Sequence, residues 1–334
     1  MKLINPSAEI WEQDTSSPVE GMYAHIAKCT RVCYQSEKKN NDETEEEFVK
    51  RVILRHEPWN SEANHLAMLE HGTVYLYLET GPNNVFSKFE YPSAHFTAGY
   101  NWSDVVGHIR AKYKRNKYSK VNTAWLGKEI RGTFITTNLR VIYENNWLED
   151  LQFVCSPSGY HAKRVTVSFT TNIGVTREFN RHRVNSIAEE STRYCNYHLD
   201  KFKNSITFTL PSWIDINKTE VQACRSAEIE SDMYADMRIN MELSDTWDTI
   251  DWYLYALSTS ALAYKKLIKL GWKPQQAREV LPLATKTQLI HTAFVDDWKH
   301  FFALRADGVS GTPHPNAALV AKPLKEEFIK HGLL

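Results

Sequence analysis

Apolar and polar positions alternate with a period of two over 73–79 (TVYLYLE) and 164–170 (RVTVSFT). Val74, Leu76 and Leu78 share one face of the first segment, and Val165, Val167 and Phe169 one face of the second; the period predicts half-buried strands. GTFITT at 132–137 predicts another strand, followed by a helix near 138–145, and ITFTLP at 206–211 is strand-like. Over 20–33, Met22, Ile26, Cys29 and Cys33 recur near helical spacing, which predicts a helix. The polar run SEKKNNDETEEE at 36–47 reads as a solvated loop and helix start leading into a second short helix, FVKRVILRH. A long periodic stretch, 252–270, predicts a helix that stops at Gly271; Pro274 then opens a new helix, which Pro282 interrupts. Beyond 211 the chain reads as helical, whereas 80–163, rich in Gly, Asn, Ser and Tyr, reads as an insertion into a sheet-based core. The pattern predicts an α+β fold: a mixed or antiparallel sheet packed by helices, with a mostly helical C-terminal half.

Composition narrows the function classes. The 334 residues hold 40 Lys+Arg against 40 Asp+Glu, a balance that argues against a basic nucleic-acid coat yet is silent about a local anion site. The length accommodates about two domains or one large domain with insertions. No run approaches the roughly 20 apolar residues of a membrane span, and the first residues, MKLINPSAEIWEQD, lack the layout of a secretory signal. Five cysteines (Cys29, Cys33, Cys155, Cys195, Cys224) suit free thiols in a reducing cytoplasm. Cys29 and Cys33 have no second Cys/His pair at finger spacing, so no metal site is expected. Neither a dinucleotide-fold glycine motif nor a Walker loop occurs.

The densest chemistry is TREFNRHRVNSIAEESTRYCNY at 176–197. Arg177, Arg181, His182, Arg183 and Arg193 are interleaved with Glu178, Glu189, Glu190, Ser191 and Thr192. Two readings fit. The segment could be a solvated helix face laced with ion pairs. Alternatively, guanidinium forks and small hydroxyls could bind phosphate while the carboxylates accept from a sugar or base.

The spacing Arg181-His182-Arg183-x7-Ser191, running on into Glu189-Glu190-Ser191-Thr192-Arg193-Tyr194, resembles the signature of the flavin-dependent thymidylate synthases. Further elements occur in that family's order: Arg31-Val32-Cys33-Tyr34, His65 through His71 (HLAMLEH), Ala277-Arg278-Glu279-Val280-Leu281-Pro282 and Phe301-Phe302-Ala303-Leu304-Arg305. The resemblance covers roughly 20–80 and 164–325. It implies one catalytic domain over 1–334, with 80–163 as an insertion that compact family members lack. It also implies conversion of dUMP to dTMP, with methylenetetrahydrofolate supplying the carbon, NADPH the electrons and FAD mediating, in a cytoplasmic homotetramer (bacterial, or in a host cytoplasm if viral) with active sites shared between subunits.

By the same resemblance, Glu178, Arg181, Glu189, Ser191, Thr192, Arg193, Arg278 and Arg305 bind dUMP, and Arg305 stabilises the ionised pyrimidine imide. His65, Glu70, Arg181, His182, Arg183, Glu189 and His300 face FAD. The sequence departs from the pattern at Ala67, Glu178 and Ala188 and again at Phe294, Asp296 and His300, where polar FAD contacts are usual. Lys112, Lys114, Arg115 and Lys117 of the insertion are candidate replacements. These departures keep two alternatives open: hydroxymethylation of dUMP with the same flavin and folate, or a catalytically silent nucleotide-binding relative.

Overall fold

A computed structural model describes residues 1–36, 42–55, 64–81, 101–197, 199, 202, 204–214 and 247–334. Cys224 and parts of the 36–47 run and of the 80–163 segment lie outside the described residues.

The central element is a four-stranded antiparallel sheet in the order β2-β6-β9-β7, formed by Ser7–Trp11, Arg164–Asn172, Lys286–Phe294 and Ser186–Glu189. Strand alternation gives it two faces. Val165, Val167, Phe169, Leu289 and Ala293 point to one side, where helices α8 (Val295–Arg305) and α9 (Pro315–Lys330) bury Trp298, Phe301, Phe302 and Phe328. Burying a side chain of that size contributes about 1.5–3 kcal/mol. On the other side Ile290 and Ala188 pack with Trp11 and with Cys29 and Val32 of helix α1 (Pro18–Tyr34).

Helix α1 joins this sheet to a second one. Pro18 presets its first turn, and Gln35 ends it in the left-handed region at φ 45°. Its Met22, Tyr23, Ile26 and Ala27 enter the core of an antiparallel sheet ordered β3-β5-β4: Thr73–Thr80, Arg131–Asn138 and Lys120–Trp125. Helices α2 (Glu45–Val52), α3 (Trp102–Arg115) and α4 (Leu139–Glu144) close that core. Helix α2 begins inside the acidic run, where Thr44 and Glu47 form a reciprocal capping box. The described part of 80–163 is thus built into the fold: β5 is the middle strand, and Ile109, Tyr113, Ile135 and Ile142 are buried with Ile26 and Leu76. A short parallel pair, β1 (Lys2–Ile4) with β8 (Thr207–Thr209), is covered by α6 (Thr249–Lys269).

The C-terminal half departs from the expected run of helices, because β9 is a nine-residue strand at the middle of the main sheet. It is buried on both faces, with Leu289 and Ala293 on one side and Ile290 and Thr292 on the other. Its sequence, KTQLIHTAF, therefore lacks the one-sided alternation that marks β3. Helix α7 (Pro274–Ala277) also ends well before Pro282, giving way to a 3-10 turn at Arg278–Val280. Among the described residues, no helix is long and apolar enough to cross a membrane.

Candidate active site

Helix α5 (Ile173–Phe179), capped by the Asn172 side chain at 2.9 Å from the Val175 amide, delivers the Arg181–Arg183 segment. Phe179 anchors it against Phe169 and Phe301. The turn that follows throws Arg181 and Arg183 outward and His182 inward. Neither outward guanidinium makes a hydrogen bond or ion pair among the described residues. His182 packs against Phe301 and His300, at 4.9 and 5.7 Å between ring centroids.

Arg305, in the last turn of α8, meets this segment. Its Nε donates to His182 Nε2 at 3.2 Å, Nη1 to the Glu178 carboxylate at 2.6 Å and Nη2 to the Glu178 carbonyl at 2.7 Å. Burial and the neighbouring Arg305 and His300 push the His182 pKa down to about 4, so its Nε2 is an acceptor at neutral pH. A guanidinium carries five N–H donors, which leaves two on Arg305 for a ligand.

A second cluster forms where β7 ends. The Ser191 amide bonds to the Cys33 carbonyl at 2.9 Å, tying the turn to the end of α1, while the Ser191 carbonyl accepts from the Tyr194 and Cys195 amides. Thr192 Oγ1 accepts from Arg278 Nη1 at 3.1 Å, and Arg193 Nε donates to Gln275 Oε1 at 3.0 Å. Ala277, fully buried beneath α6, fixes the turn that carries Arg278. Two exposed guanidiniums and two hydroxyl side chains therefore occupy one corner, a donor set matched to phosphate oxygens. The two neighbouring glutamates differ. Glu189 is half-buried and held at 3.3 Å by Asn180 and by Thr287, whereas Glu190 is buried on Lys286 at 2.6 Å and Tyr197 at 3.2 Å, a structural pair.

Beside this corner lies a cavity of about 570 Å³ bordered by Thr30, Cys33, Tyr34, His65, Met68 and Arg140, among others. Cys33 and Tyr34 belong to both places: the Tyr34 ring lies 5.5 Å from that of Tyr194. His65 is exposed at the cavity wall. Glu70 is held in an ion pair with Arg140, and Arg140 also bonds Glu144 at 2.7 Å. His71, by contrast, is fully buried on Thr292 at 2.8 Å and is not part of this cavity's wall. Among the described residues, no hydrogen bond or ion pair links the Arg305 cluster to the Arg278 corner.

The atypical positions have structural explanations. Ala188 sits inward among Trp11, Cys29 and Ile290, so it presents no group to a ligand. Asp296 forms an ion pair with Lys120 at 2.6 Å, and the Lys120 ammonium lies 4.8 Å over the Phe294 ring. Lys112 is paired with the buried Asp150 at 2.6 Å, a core role. Four polar participants were not singled out from sequence: Gln275, Arg140, Lys120 and Lys286. Each is defined by a partner at least 70 residues away, as in Arg140 with Glu70 and Arg193 with Gln275, and no local spacing reports such a pairing.

Comparison with known proteins identifies the family. The family described as thymidylate synthase complementing protein matches residues 157–330. A flavin-dependent thymidylate synthase of Synechocystis is 24% identical over 191 residues, 56% of this chain and 77% of that protein. One of Thermosipho melanesiensis is 29% identical over 163 residues, 48% of this chain and 63% of that protein, and one of Pyrococcus furiosus 28% over 130 residues, 39% and 41%. A UMP/dUMP methylase, PolB from Streptomyces cacaoi, solved with 5-Br dUMP, aligns at TM-score 0.36 and 21% identity over 50% of this chain and 67% of its own. With more than half of its residues matched, the chain belongs to the thymidylate synthase complementing protein family, that of the flavin-dependent thymidylate synthases.

Proposed function

We propose that the protein converts dUMP to dTMP, with methylenetetrahydrofolate as carbon donor, NADPH as reductant and FAD as bound cofactor. The observation that carries the reading is the corner in which Arg278 reaches Thr192 and Arg193 lies alongside, next to a cavity lined by Tyr34 and His65. Ser191, Thr192, Arg193 and Arg278 hold the dUMP phosphate. The residues present fit a flavin dinucleotide: an aromatic-edged cavity of about 570 Å³ suits a planar ring, and Arg181 and Arg183, without an ion pair among the described residues, suit its diphosphate. His65 borders the ring, Glu189 lies between the two ligands, and His182 and His300 flank Arg305. Glu70 acts through Arg140, which it holds at the cavity wall.

The flavin, when bound, supplies the redox chemistry. The chain's own residues bind, orient and polarise. Arg305 is fixed in place by Glu178 and His182, and its two remaining N–H groups stabilise negative charge on the pyrimidine imide. The active site is completed between subunits of a cytoplasmic homotetramer, a reading that rests on the family resemblance in the sequence.

Incubation with dUMP, methylenetetrahydrofolate and NADPH, followed by mass spectrometry of the nucleotide, tests the reading. The mass of dTMP is expected. A product of hydroxymethyl-dUMP mass would replace methylation with hydroxymethylation. Unchanged dUMP with a colourless, FAD-indifferent protein would leave only a nucleotide-binding relative.

A further inference from the structure

A second cavity, of about 340 Å³, lies between the sheet that holds β4 and β5 and the start of α8. Lys117, Lys120, Arg164 and Arg183 line it, against one carboxylate, Asp297; Tyr118, Val184 and Phe294 add apolar surface. Its positive charge is poorly compensated from within. Among the described residues, the half-buried Arg164 bonds neutral groups alone, the Thr73 hydroxyl at 3.2 Å, the Glu70 carbonyl at 3.0 Å and the Ser186 hydroxyl at 3.3 Å. The side chains of Lys117 and Arg183 have no hydrogen bond or ion pair among the described residues; the Lys117 ammonium rests 4.8 Å over the Tyr118 ring. Lys120 alone is in an ion pair, and its partner Asp296 and the Phe294 ring beneath it aim it at the cavity. Excess positive charge against low-dielectric walls concentrates anions. The volume sits at the lower end of ligand pockets, about 300–1,000 Å³. It suits a diphosphate with part of its sugar and is small for a whole dinucleotide.

Lys117 and Lys120 precede residue 157, where the family match begins, whereas Arg183, Phe294 and Asp296 lie inside it. The atypical Phe294 and Asp296 thus bring a lysine from outside the matched region to a wall that Arg183 already lines. We propose that this cavity is a subsite for the diphosphate of a nucleotide, with Lys117 and Arg183 as its free cations and Lys120 as a third. The diphosphate belongs either to the adenosine end of the cofactor, in which case the inference rests on the proposed flavin chemistry, or to a free nucleoside diphosphate.

The test titrates the full chain with ADP, FMN and FAD by calorimetry and flavin fluorescence. The variants are Lys117→Glu, its milder form Lys117→Met, and Lys128→Glu, an exposed charge change in the turn between β4 and β5 that does not line the cavity. Each charged hydrogen bond lost costs about 1.5–3 kcal/mol, at least tenfold in affinity. ADP is therefore expected to bind the parent protein, tenfold or more weakly to Lys117→Glu, and within threefold of the parent to Lys128→Glu. If Lys117→Glu also weakens FAD but not FMN, and ADP displaces FAD, the diphosphate is the cofactor's. If FAD is unaffected while ADP weakens, a free nucleotide is the ligand. Absence of ADP binding, or equal losses in Lys117→Glu and Lys128→Glu, overturns the subsite. ADP binding without any flavin binding keeps the subsite and removes the flavin reading.

Discussion

The two arginine clusters of the candidate site use the same side chain in opposite ways. Arg278 and Arg193 are exposed; each has one neutral hydrogen-bond partner, Thr192 or Gln275, and Arg278 adds only a long, exposed ion pair with Glu279 at 3.8 Å. Arg305 is half-buried and gripped by a carboxylate, a carbonyl and an imidazole. A guanidinium left mostly to solvent keeps its donors for an incoming dianion and gives it little orientation. One fixed at three points has few donors to spare, but those few are aimed. The outer cluster thus suits capture of phosphate, and the inner one suits a weakly charged ring atom whose charge grows during reaction.

The contrast can be broken most severely at Arg305. Arg305→Ala should lower turnover about 100- to 1,000-fold, the usual cost of removing a preorganised donor, while flavin absorbance and dUMP affinity stay near parent values. Full activity in that variant would remove its role. Acid should sharpen the contrast next, because the inner cluster contains a buried imidazole. Burial first, then Arg305 and His300, holds His182 at about 4, and burial likewise holds His25 at about 4 and His291 at about 3. With folded values below the ordinary 6.5, the unfolded chain takes up protons first, so stability present above pH 6.5 drains away as pH falls towards 4. The slope is about 1.4 kcal/mol per pH unit for each fully buried histidine. Denaturant unfolding from pH 7 to pH 4.5 should show the decline, flattened in part by His182→Asn and untouched by Arg278→Ala. The smallest effect is expected at Gln275→Ala: a few-fold rise in the KM for dUMP with kcat unchanged, because Gln275 only steadies the exposed Arg193.

The sequence displays those parts of the fold whose physics is local. Strands β3 and β6 each carry an apolar stripe against a single core, and helix α1 carries apolar positions at helical spacing that serve two cores; in all three the period betrays the element. Strand β9 escapes because both its faces are buried, and the helical reading carried through it. The segment 80–163 is polar in composition, yet its β5 pairs with β3 over eight residues, a long-range register that no local window contains. At the site, the spacing of Arg181, His182, Arg183 and Ser191 marks the right turn. What each residue meets there is set by distant chain: Arg305 on Glu178, Arg278 on Thr192, Lys120 beside Asp296. Ala188 shows the limit from the other side, since a position that motif comparison treats as a lost polar contact faces the core.

The most direct measurement compares the affinities of dUMP and deoxyuridine, which differ only in the phosphate, for the parent protein, Arg278→Ala and Arg305→Ala. If the outer cluster captures phosphate and the inner one acts on the ring, dUMP should bind the parent far more tightly. That advantage should fall about tenfold or more in Arg278→Ala and persist in Arg305→Ala. An advantage that survives Arg278→Ala intact, or that collapses in Arg305→Ala, would contradict the division of labour.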